Sequence, residues 1–429
     1  MNASRLLFVV VATVCSSVPL ARAGDSWPQF RGPTGDGVSD ATGLPVEWGE
    51  DENVTWKTAI HGKAWSSPVV HGKQVWLTTA TPDGRQLSVI CVDKDSGKVV
   101  HDLKLFDVEK PQYAHPFNSY ASPTPAIEGD RVYVSFGSPG IACLDANTGK
   151  VIWERRDFVC DHWRGAGSSP LVFNDLVILN FDGADFQYIA ALDKKTGETR
   201  WKTPRSIDYK DLGPDGKPEA GGDWRKAFST CRIATHTGEP LVISLGSKAV
   251  YAYAPSTGAE VWRLEDREAH SGSSTPVIGE EFIYATTGLG KQDLRAIKPG
   301  GTGVLPESQV AWKVTKNVPG KPSPVLVDGR LYMNNDGGLA SCVDAKTGTE
   351  IWGGGRLKGN YSASPVYADG KVYFFNEDGL ATVIKAGTDK FEVLAENELD
   401  EGFMASPAVV DNALFLRTKT HLYRIERKK

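Results

Sequence analysis

The residues best suited to chemistry stand in a few polar, aromatic-rich stretches of the 429-residue chain. One holds Tyr113, His115, Phe117, Asn118 and Tyr120; the next is Cys160-Asp161-His162-Trp163-Arg164; a third ends in Asp223-Trp224-Arg225-Lys226. Later ones bring His270, Lys316-Asn317, Asn360-Tyr361, Glu401 and Phe403. Indole faces and guanidinium forks suit a planar anion or a sugar ring, held by stacking and paired hydrogen bonds. The candidate ligand-binding set is therefore His115, Asn118, Asp161, His162, Trp163, Arg164, Trp224 and Arg225. The alternative is that these stretches pack on one another with their charges solvated, since loops on a rigid scaffold often carry function but need not. No catalytic residue is assigned. Asp161, Asp223, Asn118 and Glu401 offer oxygen ligands, but calcium takes six to eight and no spacing singles them out, so no metal site is assigned.

Other motifs read as geometry. Asp36-Gly37 and Asp182-Gly183-Ala184-Asp185 have turn chemistry. Gly353-Gly354-Gly355 follows a tryptophan rather than a strand that leads into a helix, which argues against a phosphate loop. A Ser/His/Asp hydrolase lacks its strand-turn-helix nucleophile setting. A formal charge of −5 without a basic run makes the chain a poor candidate for nucleic acid or anionic membrane, and no nucleic-acid partner is expected.

The elements that position these stretches come from a repeat. Cys143-Leu144-Asp145-Ala146-Asn147-Thr148-Gly149 leads to Trp153: a strand, a turn that its own Asp and Thr can hydrogen-bond, then a strand carrying tryptophan. It recurs toward Trp201, Trp262 and Trp352, and from Asp93 with His101 in the tryptophan's place. Before each turn comes a small hydroxyl residue, a proline, and an apolar pair seven and eight residues later. Examples are Ser67-Pro68, Thr124-Pro125, Ser169-Pro170, Thr275-Pro276, Ser323-Pro324, Ser364-Pro365 and Ser406-Pro407. Hairpin turns such as Asp328-Gly329 and Asp369-Gly370 fall between. One unit replaces the proline, with Ser229-Thr230-Cys231-Arg232 in its place. That makes eight units of about four short strands. The last has only three, and Asn53-Val54-Thr55-Trp56-Lys57 can supply the fourth. Closing a ring this way leaves no sheet edge exposed for aggregation. The expected fold is all-β, an eight-bladed propeller of four-stranded antiparallel blades closed by the N-terminal strand. The polar, aromatic stretches then join successive blades and share one face of the ring.

The start of the chain has a leader's composition: Arg5, an apolar run from Leu6 to Val14, and Ala21-Arg22-Ala23. We expect a signal peptide over 1–23, an extension over 24–52, the propeller over 53–429, and export to the periplasm or cell envelope, or secretion. The apolar run is too short to span a bilayer. Cys91, Cys143 and Cys342 share one repeat position, which reads as a small core slot. Cys160 and Cys231 lie outside it; in an oxidising compartment they could pair, and sequence alone leaves that open.

The pattern A/C-x-D-x-x-T-G-x-x-x-W, preceded by S-x-P-x-x-x-x-G-x-x-V-Y, resembles the repeat of pyrroloquinoline-quinone (PQQ) type propellers. That group includes quinoprotein alcohol dehydrogenases and BamB, a lipoprotein of outer-membrane protein assembly. The resemblance covers about residues 53 to 425, and Trp27-Pro28-Gln29-Phe30-Arg31-Gly32-Pro33 is similar to the start of exported propellers of planctomycete type. It implies interblade packing for Trp56, Trp153, Trp201, Trp262, Trp312 and Trp352. For activity it implies a choice. Quinoprotein enzymes hold PQQ through calcium, with an aspartate base, a stacked tryptophan and often a disulfide between adjacent cysteines; no two cysteines are adjacent here. The expectation is a non-catalytic binding or assembly scaffold that meets envelope proteins or a small ligand, with no cofactor. The alternatives are a PQQ-dependent dehydrogenase and a carbohydrate-binding propeller.

Overall fold

The computed structural model describes residues 26–428 apart from Thr237, so the expected leader lies outside the described residues. Eight antiparallel sheets follow one another around an axis. Their innermost strands are Val69–His71, Ala126–Glu128, Leu171–Phe173 and Arg232–Ala234 in blades 1 to 4. In blades 5 to 8 they are Val277–Ile278, Val325–Val327, Val366–Ala368 and Ala408–Val410. Blade 8 is completed by Val54–Ala59, which pairs antiparallel with His421–Glu426, Val54 opposite Ile425 and Ala59 opposite His421. The ring therefore closes as the repeat requires.

The tryptophan and the glycine of the repeat are two halves of one joint. Gly197 and Gly258 have φ of +75° and +70°, and a Cβ on them would lie 2.6 and 2.5 Å from the indoles of Trp153 and Trp201 in the preceding blade. Only glycine both adopts that backbone and lets the ring lie flat on it. The indole N–H then donates to a carbonyl of the same turn: Trp56 to Lys94 at 2.9 Å, Trp153 to Lys194 at 3.2 Å, Trp201 to Pro255 at 2.7 Å and Trp312 to Lys346 at 3.0 Å. Inside the turn, Asp145 accepts from the amide of Thr148 at 2.7 Å and from its hydroxyl at 2.8 Å. These bonds hold the carboxyl below the usual range. Trp262 and Trp352 pack in their seams without a partner for Nε1.

The hydroxyl before each proline has an equally definite task. It accepts the backbone N–H of its counterpart one blade earlier: Ser67 to Thr124, Thr124 to Ser169, Ser169 to Thr230, Thr275 to Ser323, Ser323 to Ser364, Ser364 to Ser406 and Ser406 to Ser67, all at 2.9–3.0 Å. These bonds satisfy amides that face the axis, where no strand can pair with them. The proline that follows has no N–H to leave unpaired. The circle lacks such a bond between Thr230 and Thr275, beside the unit where Cys231 replaces proline, and Thr275 Oγ1 has no partner.

The extension does not trail away from the ring. Ser26–Trp27 adds a fifth strand to the inner edge of blade 1. The chain then crosses the axis. Pro28 O accepts from Ile127 of blade 2, Arg31 donates to the carbonyls of Ser323 and Pro324 in blade 6 at 2.8 and 2.6 Å, and Ser39 N–H reaches Tyr367 O of blade 7. Trp48 stacks on Tyr373 before the chain enters blade 8. Cys91, Cys143, Cys160, Cys231 and Cys342 are all buried free thiols. The open question about Cys160 and Cys231 is settled by packing: they lie in separate clusters, one with Phe158 and Phe181, the other with Ile207 and Tyr251.

Candidate functional site

A cavity of about 420 Å³ occupies the axis and opens on the face that carries the interblade connections. Its wall follows directly from the repeat. In an extended chain, residues two apart point the same way. The residue two before each axial hydroxyl therefore faces the axis as well, one step nearer the mouth. Those positions hold Trp65, Phe228, Lys321 and Met404, with Ser122, Gly167, Ser273 and Ser362 at the other four. Below them is the hydroxyl tier of Ser67, Thr124, Ser169, Ser323, Ser364 and Ser406, and Phe30 of the extension lines the same cavity. This tier thus combines an apolar side, from Trp65, Phe228 and Met404, with one cation, Lys321.

That cation is held in place. Lys321 Nζ lies 3.1 Å from Glu377 Oε1, 3.9 Å from Asp336 Oδ2 and 4.3 Å from the centre of the Phe117 ring. Asp336 in turn accepts from the amides of Gly320 and Lys321 at 3.0 Å each.

The eight residues expected to bind ligand separate into two groups. His115, Asn118 and Arg164 line the cavity. Asn118 joins two connections, donating to Arg164 O at 2.8 Å and accepting from the Ser122 hydroxyl at 2.6 Å. Arg164 lies 3.5 Å from Asp223, which also pairs with the buried Lys226.

The other five do not line it. Asp161 accepts the Trp163 N–H at 2.9 Å and so shapes a turn. Trp163 is 38% exposed, on a backbone with φ of +60°. Trp224 packs against Lys248, whose ammonium is 5.7 Å from its ring. Arg225 is forked onto Asp211 at 2.5 and 3.0 Å and stacks over Tyr209.

His162 points into the protein. Its Nε2 accepts the Ser138 N–H at 3.0 Å, and Cys160 Sγ is 3.6 Å away. Burial lowers its pKa to about 4, which keeps it neutral. Sequence reasoning missed Trp65, Phe228, Lys321 and Met404, although their shared offset from the hydroxyl was a readable signal.

Beyond the cavity, the same face exposes apolar side chains. Tyr113, Val159, Trp163, Phe186 and Leu212 all remain accessible there. Their loops are knitted together: Gln112 donates to Cys160 O at 2.9 Å, and Asp161 N–H donates to Asp185 Oδ1 at 2.6 Å. This sector belongs to blades 2 to 4.

The residues lining the cavity do not fit a calcium–quinone cradle. Asp336 is the carboxylate that lines it, and backbone amides and Lys321 already occupy it. Calcium is held largely by carboxylate and carbonyl oxygens, and Asp336 and the Asn118 amide are the side chains of those kinds that line the cavity. Among the described residues, no group of three or more His, Cys, Asp or Glu is placed to hold a metal ion. Among them, too, no helix is long and apolar enough to cross a membrane.

Comparison with known proteins agrees with this architecture. A family model described as outer membrane protein assembly factor BamB matches residues 38–158, 88–291 and 185–429. The chain is 25% identical over 249 residues to a 1-butanol dehydrogenase (quinone) of Thauera butanivorans, covering 49% of this chain and 38% of that protein. It is 25% identical over 144 residues to the quinoprotein alcohol dehydrogenase PedH of Pseudomonas putida, covering 32% and 22%. The matches thus span well under half the length of either relative. Among solved structures, a europium-containing methanol dehydrogenase superposes with a TM-score of 0.64 at 13% identity, covering 93% of this chain and 89% of that one. BamB from Moraxella catarrhalis gives 0.58 at 13% identity, covering 86% and 99%. At such identities the structural likeness is one of fold.

Proposed function

The chain belongs to the outer membrane protein assembly factor BamB family of PQQ-like propellers, and from that premise we propose that it is an exported, non-catalytic scaffold. In this reading it binds a partner protein of the cell envelope through the face that carries the interblade connections. The observation that carries the reading is a cluster of exposed apolar side chains on loops beside an open cavity. The connection face exposes Tyr113, Val159, Trp163, Phe186 and Leu212 beside an open cavity, and apolar side chains clustered on loops of a rigid scaffold mark interaction sites. The opposite face carries the Asp turns and is crossed by the extension.

Site-specific photocrosslinking in cells tests this. A crosslinker at Phe186 or Trp163 is expected to trap a defined envelope protein, and one at Asn147 in an Asp turn is not. Equal trapping from both faces, or none from the first, overturns the scaffold reading.

A second reading, quinone-dependent oxidation, is favoured by the sequence match to the butanol dehydrogenase. The oxygen donors around the cavity speak against it. Titration with PQQ and calcium while following dye reduction with alcohols tests it, and turnover would revive it.

A further inference from the structure

The axial hydroxyls do more than satisfy amides. Each of Ser67, Thr124, Ser169, Ser323, Ser364 and Ser406 accepts one N–H through its oxygen. A hydroxyl also carries one donor hydrogen. In the described structure these hydrogens have no acceptor among the side chains or carbonyls around them, and all six oxygens line the cavity. All six residues are nearly fully buried, from 2% exposure at Ser67 to 6% at Ser406. The bottom of the cavity is thus a crown of O–H donors converging on one axis.

A hydroxyl crown could take a cation through its remaining lone pairs, so the surrounding field has to decide the sign. Three buried guanidiniums stand close to the crown. Arg31 is bonded to the carbonyls of Ser323 and Pro324; Arg232 directly follows Thr230 and Cys231 and binds the carbonyls of Thr34 and Gly35; Arg417 donates to Ser66 O at 3.0 Å and Ser66 Oγ at 2.6 Å. All three are bonded to neutral oxygens. Asp36 is the carboxylate that offsets Arg31 and Arg232, and Arg417 feels burial alone. Burial and their mutual repulsion lower Arg31 to about 9, and burial lowers Arg417 to about 9. Asp336 and Glu377 lie higher, near the mouth, and Lys321 answers both. The balance at the crown is therefore positive, and buried cations without a paired anion gain strongly from one.

We propose that the crown is an anion site, and that its ligand is a small carboxylate with an apolar body. The carboxylate oxygens accept from the axial hydroxyls, in short charge-assisted bonds. The body rises past Trp65, Phe228 and Met404, whose surfaces would hold an aryl or alkyl group. Phe30 sets the depth. The site goes beyond the scaffold reading and needs no protein partner.

Calorimetric titration of the purified protein with benzoate, benzamide and benzylamine at matched ionic strength tests the sign. Benzoate is expected to bind at least tenfold more tightly than benzamide, with benzylamine weaker still. Equal or tighter binding of benzamide or benzylamine overturns the proposal. Variants then test the location. Arg417→Met should weaken benzoate at least tenfold while Arg417→Lys retains most of the affinity, and Lys321→Met and Arg164→Met, the two cations nearer the mouth, should each keep the preference for benzoate over benzamide. If either mouth variant abolishes that preference, the charge at the mouth is the binder and the crown assignment fails. Should Arg417→Met not fold, a crystal of the unaltered protein with 4-bromobenzoate decides. Bromine signal beside Trp65, Phe228 and Met404 with the carboxylate below supports the proposal, and bromine elsewhere refutes it.

Discussion

The seams between blades and the mouth of the cavity use the same residue types to opposite ends. At a seam, Trp201 is buried, lies flat on Gly258 and gives its N–H to Pro255. On the connection face beyond the mouth, Trp163 stands 38% exposed on a left-handed backbone. The seam repeats around the ring, so each tryptophan is placed by a turn one blade on. The connections at the mouth occur once each and are placed by local hydrogen bonds. A repeat therefore discloses what holds the ring together, while the unrepeated loops disclose what distinguishes this member.

The sharpest way to break that comparison is to remove each indole. Trp201→Ala should lower unfolding stability by about 3–5 kcal/mol, the usual cost of deleting a buried aromatic, because the cavity it leaves is walled by two sheets. Trp163→Ala should stay within about 0.5 kcal/mol, as exposed substitutions do. Urea melts of the two variants measure both. A similar loss from each would mean that the mouth is as load-sharing as the seam.

His162 tests the boundary between the two regions, because it belongs to a connection by sequence and to the interior by contact. Its folded pKa of about 4 lies below the ordinary value of 6.5. Above pH 6.5 it is neutral in both states and costs nothing. Below that, the unfolded chain takes up a proton that the folded one refuses, so stability falls as pH drops from 6.5 to 4 and then levels off for this group. The full effect is on the order of 3 kcal/mol. His162→Gln can still accept the Ser138 N–H, and should flatten this acid limb in melts run between pH 7 and 4. An unchanged slope would show that other groups control it.

Those two sites also show where sequence was informative. Blade number, the Asp–Thr–Gly turn and closure by Val54–Ala59 were legible because each rests on local chemistry written several times over. The direction of His162 was not, since its place in a connection says nothing about which way the ring turns. The crossing made by Arg31 was hidden for another reason: its acceptors, Ser323 and Pro324, lie nearly three hundred residues away, and no second copy exists to compare. The wall residues Trp65, Phe228, Lys321 and Met404 fall between these cases. Their offset from the axial hydroxyl is regular, but the four are of four different types and serine or glycine fills the position in the other blades, so the regularity shows only once the hydroxyl is known to face the axis.

The finest comparison lies within the seams. Blade 5 departs from the repeat: its turn runs through Lys298-Pro299-Gly300-Gly301, without the Asp and Thr that shape the others, and Gly303–Val304 instead pairs parallel with the strand of Trp262. Trp262 is therefore buried with no carbonyl for Nε1, while Trp201 has one at 2.7 Å. Trp201→Phe removes a ring and a hydrogen bond, and leaves Pro255 O without its donor; Trp262→Phe removes only the ring and relieves an unpaired N–H. The two losses should differ by about 1 kcal/mol, with Trp201→Phe the more costly, as expected for one buried hydrogen bond. Paired urea melts have the resolution to see this. Equal losses would mean that the indole N–H adds nothing to a seam, and that Trp on Gly is a packing joint alone.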